Sequence, residues 1–319
     1  MGAPVTMRAA VEEYLAVRRK LGFALHIEGL ELGRFARFAD EVGHVGPITT
    51  EIAVRWATLP AGASRLYHAR RLDLVRRLSR YRAASEPENE IPLEGLLGPS
   101  YGRREPHIYS DSEITELLSL ASQLGPSGGL RPCTYATLFS LLACTGLRIS
   151  EALALQQAHV DLDAAVITVV AGKFRRARLV PVHPTTAQAL RDYSDRRDRY
   201  FRTPRASTFF MSEFGTSLKY QKVLGTFASL RRHLKWTVGR GARLPRIHDL
   251  RHTMIVRRLL RWYEDGADID RKIAALSTYV GHVKVSNTYW YLTAIPELLA
   301  VGAARFEQFA TRCGIGGRS

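Results

Sequence analysis

The sequence predicts a mainly α-helical protein with a small antiparallel β-sheet, divided into two domains. Three observations carry that expectation. Apolar residues recur at three- and four-residue intervals through most of the 319 residues. The period changes to alternation only near residues 160–183. A stretch rich in Pro, Gly and Glu, residues 85–106, separates an all-helical start (1–84) from a longer remainder (107–319) and reads as a linker.

The first domain should hold four helices. Residues 6–22 carry Val11, Tyr14, Leu15 and Val17 on one side and Glu12, Glu13, Arg18, Arg19 and Lys20 on the other, with Gly22 as a stop. Residues 28–42 repeat the pattern with Leu30, Leu32, Phe35 and Phe38. Residues 49–58 begin with Thr49 or Thr50 as cap and Glu51 in the first turn, and end before Pro60. Residues 63–83 form the most basic of the four, with Arg70, Arg71, Arg76 and Arg77 among seven arginines. Such a face either is simply solvated or contacts phosphate.

The second domain opens with Ser110 or Asp111 capping a helix over about 111–124. A nearly all-apolar helix over 131–145 should lie centrally. Gly146 breaks it, which leaves Arg148 at a junction beside buried helix, where a charge needs a partner; Glu151 is three residues on and can supply it. Val166, Ile167, Val169 and Val170 read as one strand and Leu179, Val180 and Val182 as its partner. Between them lies a basic hairpin with Lys173, Arg175, Arg176 and Arg178. Helices are expected at 185–200, at 222–238 (with Arg231 and Arg232) and at 248–264, where His248 and Arg251 share a face. Another at 268–279 leads to Gly281 and His282, and an Ala-rich helix follows from Pro296 to about residue 309.

Composition narrows the function. A net charge of +16 and a pI near 10.1 imply a polyanionic partner. Residues 1–106 hold 16 basic and 13 acidic side chains, and the remainder 30 and 17, so the second part should grip that partner harder. The longest charge-poor run, residues 133–147, is shorter than the ~20 residues a bilayer crossing needs, which disfavours a membrane. Cys133, Cys144 and Cys313 are too few and scattered for a disulfide framework and read as thiols of a reducing cytosol. No CxxC or HExxH spacing suggests a metal, and no cofactor motif is present.

Taken singly, each candidate has a bland explanation. In order along the chain, however, stand TGLRISEAL around Arg148, AGKFRR around Lys173, HDLRH from His248 to His252, and VGH followed nine residues later by Tyr291. This set resembles the tyrosine recombinases, the phage-integrase and Xer-like family, over the whole second domain. The helical first domain is similar, less specifically, to that family's core-binding domain. The stretch between Arg251 and Gly281 is longer than usual by about two helical turns, as in recombinases of transposons and other mobile elements.

The resemblance implies an α+β catalytic domain that cleaves and rejoins DNA through a 3′-phosphotyrosyl bond, without metal, ATP or cofactor. Arg148 and Arg251 would neutralise the pentavalent phosphate, His248 would act as base, His282 as phosphate donor, Lys173 as acid toward the leaving 5′ oxygen and Tyr291 as nucleophile, with Glu151 orienting Arg148. Tyr289, two residues before Tyr291, is the fallback nucleophile. Implied partners are double-stranded recombination sites, three further copies of the chain in a tetramer whose C-terminal helix docks on a neighbour, and an accessory or second recombinase. Two rivals use the same residues differently: a type IB topoisomerase-like relaxase, and a non-catalytic DNA-binding relative.

Overall fold

The computed structural model describes residues 6–102, 105–170, 177–203, 206–236, 244–294, 298–300, 303–304 and 307. Two compact units make up the chain, Met1–Arg104 and Glu105–Ser319.

Among the described residues, the first unit holds four helices: α1 (Met7–Lys20), α2 (His26–Glu41), α3 (Thr50–Thr58) and α4 (Arg65–Arg82). Thr6, Thr49 and Ser64 each accept a backbone N–H three residues on, the geometry of a polar N-cap. Phe35 and Trp56 meet edge to face at 5.4 Å, packed with Leu32, Val75 and Leu78. Residues 85–102, expected as a linker, are not a free tether. The Asn89 side chain accepts the Ile48 amide at 2.9 Å, Glu94 pairs with Arg76, and Leu97 packs on the core of this unit. Buried backbone there needs partners, and polar side chains in the segment supply them.

The second unit begins with α5 (Asp111–Ser122), closed by a capping box between Ser110 and Glu113. Next come α6 (Arg131–Thr145) and the short α7 (Ile149–Ala154). A three-stranded antiparallel sheet follows in the order β1 (Val160–Asp161), β2 (Val166–Val170) and β3 (Ala177–Pro181), with Val169 opposite Arg178. The two-residue β1 is too short to carry a period and was not expected. The helices described after the sheet are α8 (Pro184–Tyr200), α9 (Tyr220–His233), α10 (Ile247–Glu264), α11 (Ile269–Val280) and α12 (Ser286–Ala294). Most of the stretch between Arg251 and Gly281 is helix, in α10 and α11.

Two cores support the unit. One gathers α5, α6, α9 and the sheet around Leu138, Phe139, Ile167 and Phe227. The other gathers α10, α11 and α12 around Ile255, Leu259, Ile273 and Tyr291. The head of α10 stands where they meet: Leu250 belongs to the first core and Met254 to the second. No helix among the described residues is long and apolar enough to cross a membrane.

Candidate active site

The site is built at helix ends. α6 terminates at Gly146, whose left-handed φ of 64° is cheap only for glycine. The chain then presents Arg148 as the residue preceding α7. Arg148 Nη1 donates to Glu151 Oε1 at 2.8 Å, and its backbone N–H donates to Glu151 Oε2 at 2.9 Å. Its Nη2 donates to the Gly281 carbonyl at 2.8 Å, across 133 positions of sequence. The side chain keeps 37% of its surface exposed. Glu151 also receives Arg178 Nη2 at 2.8 Å and Nη1 at 3.1 Å. Burial pushes the Glu151 carboxyl up, but the Arg178 and Arg148 bonds outweigh it and hold its pKa down at about 2.

Arg251, one turn into α10, is 2% exposed. Nη1 donates to the Gly146 carbonyl at 2.6 Å and Nη2 to the Val280 carbonyl at 2.7 Å. Burial and then the charge of Arg148 lower its pKa to about 10, which leaves it a cation at neutral pH. His248, three residues earlier, is exposed. Displaced solvent, then Arg251 and Arg246, push its pKa below the ordinary value, so it is neutral near pH 7.

α11 ends at Gly281, φ 70°, and His282 follows. His282 Nδ1 lies 2.7 Å from Thr288 Oγ1, a fully buried hydroxyl on α12. α12 delivers Tyr291, which is 2% exposed, with its ring parallel to His282 at 6.5 Å between centroids. The Tyr291 hydroxyl lies 2.6 Å from His252 Nδ1. Burial, then His248, Arg246 and Arg251, lower the His252 pKa to about 3, so its imidazole is neutral and the phenol donates the bond. His248 and His252 meet edge to face at 4.8 Å. Tyr289 points elsewhere: its hydroxyl donates to Asp270 Oδ1 at 3.1 Å on an exposed surface.

The structure thus brings together Arg148, Glu151, His248, Arg251, His282 and Tyr291. Lys173, Arg175 and Arg176 lie outside the described residues. His252 and Arg178 join the cluster without having been singled out from sequence. The signal for His252 was present in HDLRH, whose two histidines four apart share a helix face.

The basic residues expected to face DNA divide. Arg71 is buried, its guanidinium 3.9 Å from the Trp56 ring centroid and its Nη2 donating to the Trp56 carbonyl at 2.9 Å. It is a cation of the helical core. Arg76 is paired with Asp73 and with Glu94. Arg77 also pairs with Asp73 but remains exposed, as does Arg70, which donates to the Ser100 carbonyl. Arg231 donates to the Pro245 carbonyl at 2.9 Å, while Arg232 is exposed.

A model of the phage integrase family matches residues 110–297, and that span holds every member of the cluster. The chain belongs to the phage integrase family. This integrase-family chain is 42% identical over 309 residues to y4rB of Sinorhizobium fredii (strain NBRC 101917 / NGR234), which bears an integrase/recombinase name. The match covers 95% of this chain and 98% of that protein. It is 30% identical over 286 residues to the tyrosine recombinase XerD of Bradyrhizobium diazoefficiens, covering 84% and 85% of the two chains. In fold it is similar to the Tn1549 transposon integrase in complex with transposon right end DNA. There the TM-score is 0.65 at 18% identity, over 94% of this chain and 99% of the other.

Proposed function

We propose that this chain is a site-specific DNA recombinase that cleaves and rejoins strands through a covalent 3′-phosphotyrosyl intermediate, with Tyr291 as nucleophile. The observation that carries the reading is the Tyr291 hydroxyl held 2.6 Å from His252, on the same helix that presents His248 and Arg251. An aromatic hydroxyl in one cluster with two held arginines is equipped to attack phosphorus.

The phenolic oxygen forms a bond to phosphorus while the bond to the 5′ oxygen breaks. On binding DNA the phenol leaves its bond to His252 and gives its proton to His248, which is neutral and lies edge to face with His252 at 4.8 Å between ring centroids. Lys173 gives a proton to the departing 5′ oxygen. Arg148 and Arg251 hold the non-bridging oxygens as charge builds, and His282 donates a further hydrogen bond. A new 5′ hydroxyl attacking the phosphotyrosine reverses each step. The phosphodiester energy is retained in the intermediate, so joining needs no ATP.

The substrate is double-stranded DNA carrying a recombination site, gripped through its phosphates by exposed basic residues such as Arg70, Arg77 and Arg232. The helical unit serves as the core-binding domain. The active assembly is a homotetramer on two synapsed duplexes, with the segment expected as a C-terminal helix, residues 296–309, which lies mostly outside the described residues, docking on a neighbouring copy. A groove of about 590 Å³ lined by Cys144, Val182, Met254, Trp262 and Tyr279 offers an apolar seat of suitable chemistry. Integration, excision and cointegrate resolution of mobile DNA would use the same steps.

A nicked suicide substrate tests the proposal. The wild-type chain should form a covalent adduct, and Tyr291→Phe should form none. An adduct with Tyr291→Phe, or none with the wild type, would remove the central claim. Relaxation of supercoiled plasmid by a monomer lacking paired sites would favour a topoisomerase instead.

A further inference from the structure

The end of α11 poses an accounting problem whose solution involves an arginine outside the catalytic set. A helix leaves its last four carbonyls without intrahelical donors. Here the Ser277 carbonyl accepts the His282 N–H at 2.9 Å and the Thr278 carbonyl accepts the Gly281 N–H at 3.0 Å. The next three carbonyls are each taken by a different arginine. Tyr279 O accepts Arg178 Nε at 2.9 Å, Val280 O accepts Arg251 Nη2 at 2.7 Å, and Gly281 O accepts Arg148 Nη2 at 2.8 Å. The three come from β3, α10 and the head of α7. Cations there also suit the negative end of the helix.

Arg178 sits where a strand would ordinarily place an apolar side chain. It shares a face with buried Val180, while Ala177 and Leu179 point outward. Its side chain is only 13% exposed. A cation in that position is costly unless every charge and donor is met. Nε is used on Tyr279, and Nη1 and Nη2 are used on Glu151. Glu151 accepts four bonds, two from Arg148 and two from Arg178, the full capacity of a carboxylate. Gly281 completes the fit: a Cβ there would lie 2.7 Å from Arg178 Nη1.

We propose that Arg178 is a positioning residue for strand cleavage, fixing Glu151, and through it Arg148, while bracing the turn that sets His282. The inference rests on the recombinase reading above. Arg178 is not a catalytic residue, since all three of its side-chain nitrogens already bond to protein, with three of five N–H donors spent, and its side chain is only 13% exposed. Arg148 by contrast spends two of its five side-chain N–H donors and stays more than a third exposed.

The test compares adduct formation on a nicked suicide substrate by wild type, Arg178→Met, Arg178→Lys, Glu151→Gln and the Arg178→Met/Glu151→Gln double variant, with melting curves and DNA affinity measured alongside. Arg178→Met should bind DNA as the wild type does and cleave about tenfold or more slowly, the scale at which orienting partners act. Arg178→Lys should recover part of the rate. In the Glu151→Gln background the Arg178 change should cost little more, because its route is already cut. The pH profile adds a readout that a merely structural role would not move. The charged groups facing Glu151 are Arg148 on its own element, Arg178 on β3 and Arg251 on α10. Without Arg178 the carboxyl titrates higher, so the acid limb of the cleavage profile should move to higher pH. Wild-type cleavage by folded Arg178→Met, equal losses in both Glu151 backgrounds, or an unmoved acid limb would each overturn the proposal. If Arg178→Met does not fold, Arg178→Lys decides: it cannot reach Glu151 and Tyr279 O together, and full wild-type cleavage by it would overturn the proposal. A wild-type chain that forms no adduct would overturn the recombinase reading itself, separately from any effect at Arg178.

Discussion

Tyr291→Phe removes one oxygen, and the structure assigns that oxygen two separate jobs. It donates to His252 Nδ1 at 2.6 Å, and it is the proposed nucleophile. Losing the first leaves a largely enclosed imidazole nitrogen without its donor, at a cost of about 1 kcal/mol. In a unit of this size that lowers the melting temperature by about 2–4 °C. The ring itself stays packed among Ile255, Leu259 and Ile273, so the fold should persist. Tyr291 is 2% exposed, so DNA affinity should be unchanged. Loss of the nucleophile, by contrast, should abolish the covalent adduct altogether. Calorimetry, fluorescence anisotropy and a denaturing gel read the three quantities. An unchanged melting temperature would show that the His252 bond is not made in solution, and a surviving adduct would show that another side chain attacks. Tyr289→Phe is the matched control, because its hydroxyl lies on exposed Asp270 and its loss should leave cleavage and melting at wild-type values.

Three other perturbations follow from the same geometry. Arg251→Lys keeps a charge but cannot span the Gly146 and Val280 carbonyls, so one buried acceptor is orphaned at about 1–3 kcal/mol; cleavage should vanish while anisotropy shows DNA binding within a few-fold of wild type. Lowering the pH from 6.5 toward 4.5 should destabilise the fold. His252 stays neutral in the native state, with a pKa of about 3, while the unfolded chain takes up the proton, giving a slope of up to about 1.4 kcal/mol per pH unit. His248 is lowered too and adds to the same window, and Glu151 acts only below its ordinary range. Denaturant melts across that window should therefore fall less steeply for His252→Asn than for wild type, and equal slopes would contradict the assignment. Arg71→Ala should lower the melting temperature without altering the salt dependence of DNA binding, whereas Arg77→Ala should reduce the slope of log K against log salt by about one.

Helix limits were mostly legible where one face is apolar, but the helix expected at 222–238 ends at His233, with Leu234 as its cap and Lys235 in the left-handed region. The nearly all-apolar run 131–145 is α6 to the residue, and Val166–Val170 is β2, because both are bounded by glycine or by a change of period. α12 was not legible, since SNTYWYLTA mixes aromatic and polar residues without a stripe, and it holds its place through Thr288 and Tyr291. Arg71 was readable in principle. Residues 71, 75, 78 and 82 follow helical spacing, and Arg71, Val75, Leu78 and Arg82 are all buried, so the core face of α4 begins and ends with an arginine. That spacing, rather than its charge, places Arg71 in the core and away from phosphate. The His252–Tyr291 bond spans 39 positions and the Arg178–Tyr279 bond 101, and no local pattern encodes either.

The two glycines of the signature stretches acquire a shared reason. Gly146 and Gly281 each end a helix in the left-handed region, and the carbonyl of each is then taken by an arginine from another part of the chain. Arg251 takes Gly146, and Arg148, two residues beyond Gly146, takes Gly281. Arg251 also takes Val280, so the ends of α6 and α11 are tied together through these two arginines. A β-carbon at Gly146 would also run into Met254 Cε. Preorganisation of this kind matters most for a reaction that builds charge on phosphate, because donors already fixed in place need not reorganise as the charge develops. The glycine before each signature residue is therefore part of how the positive charges are held, and the backbone carbonyls are the fixed points against which those charges are set.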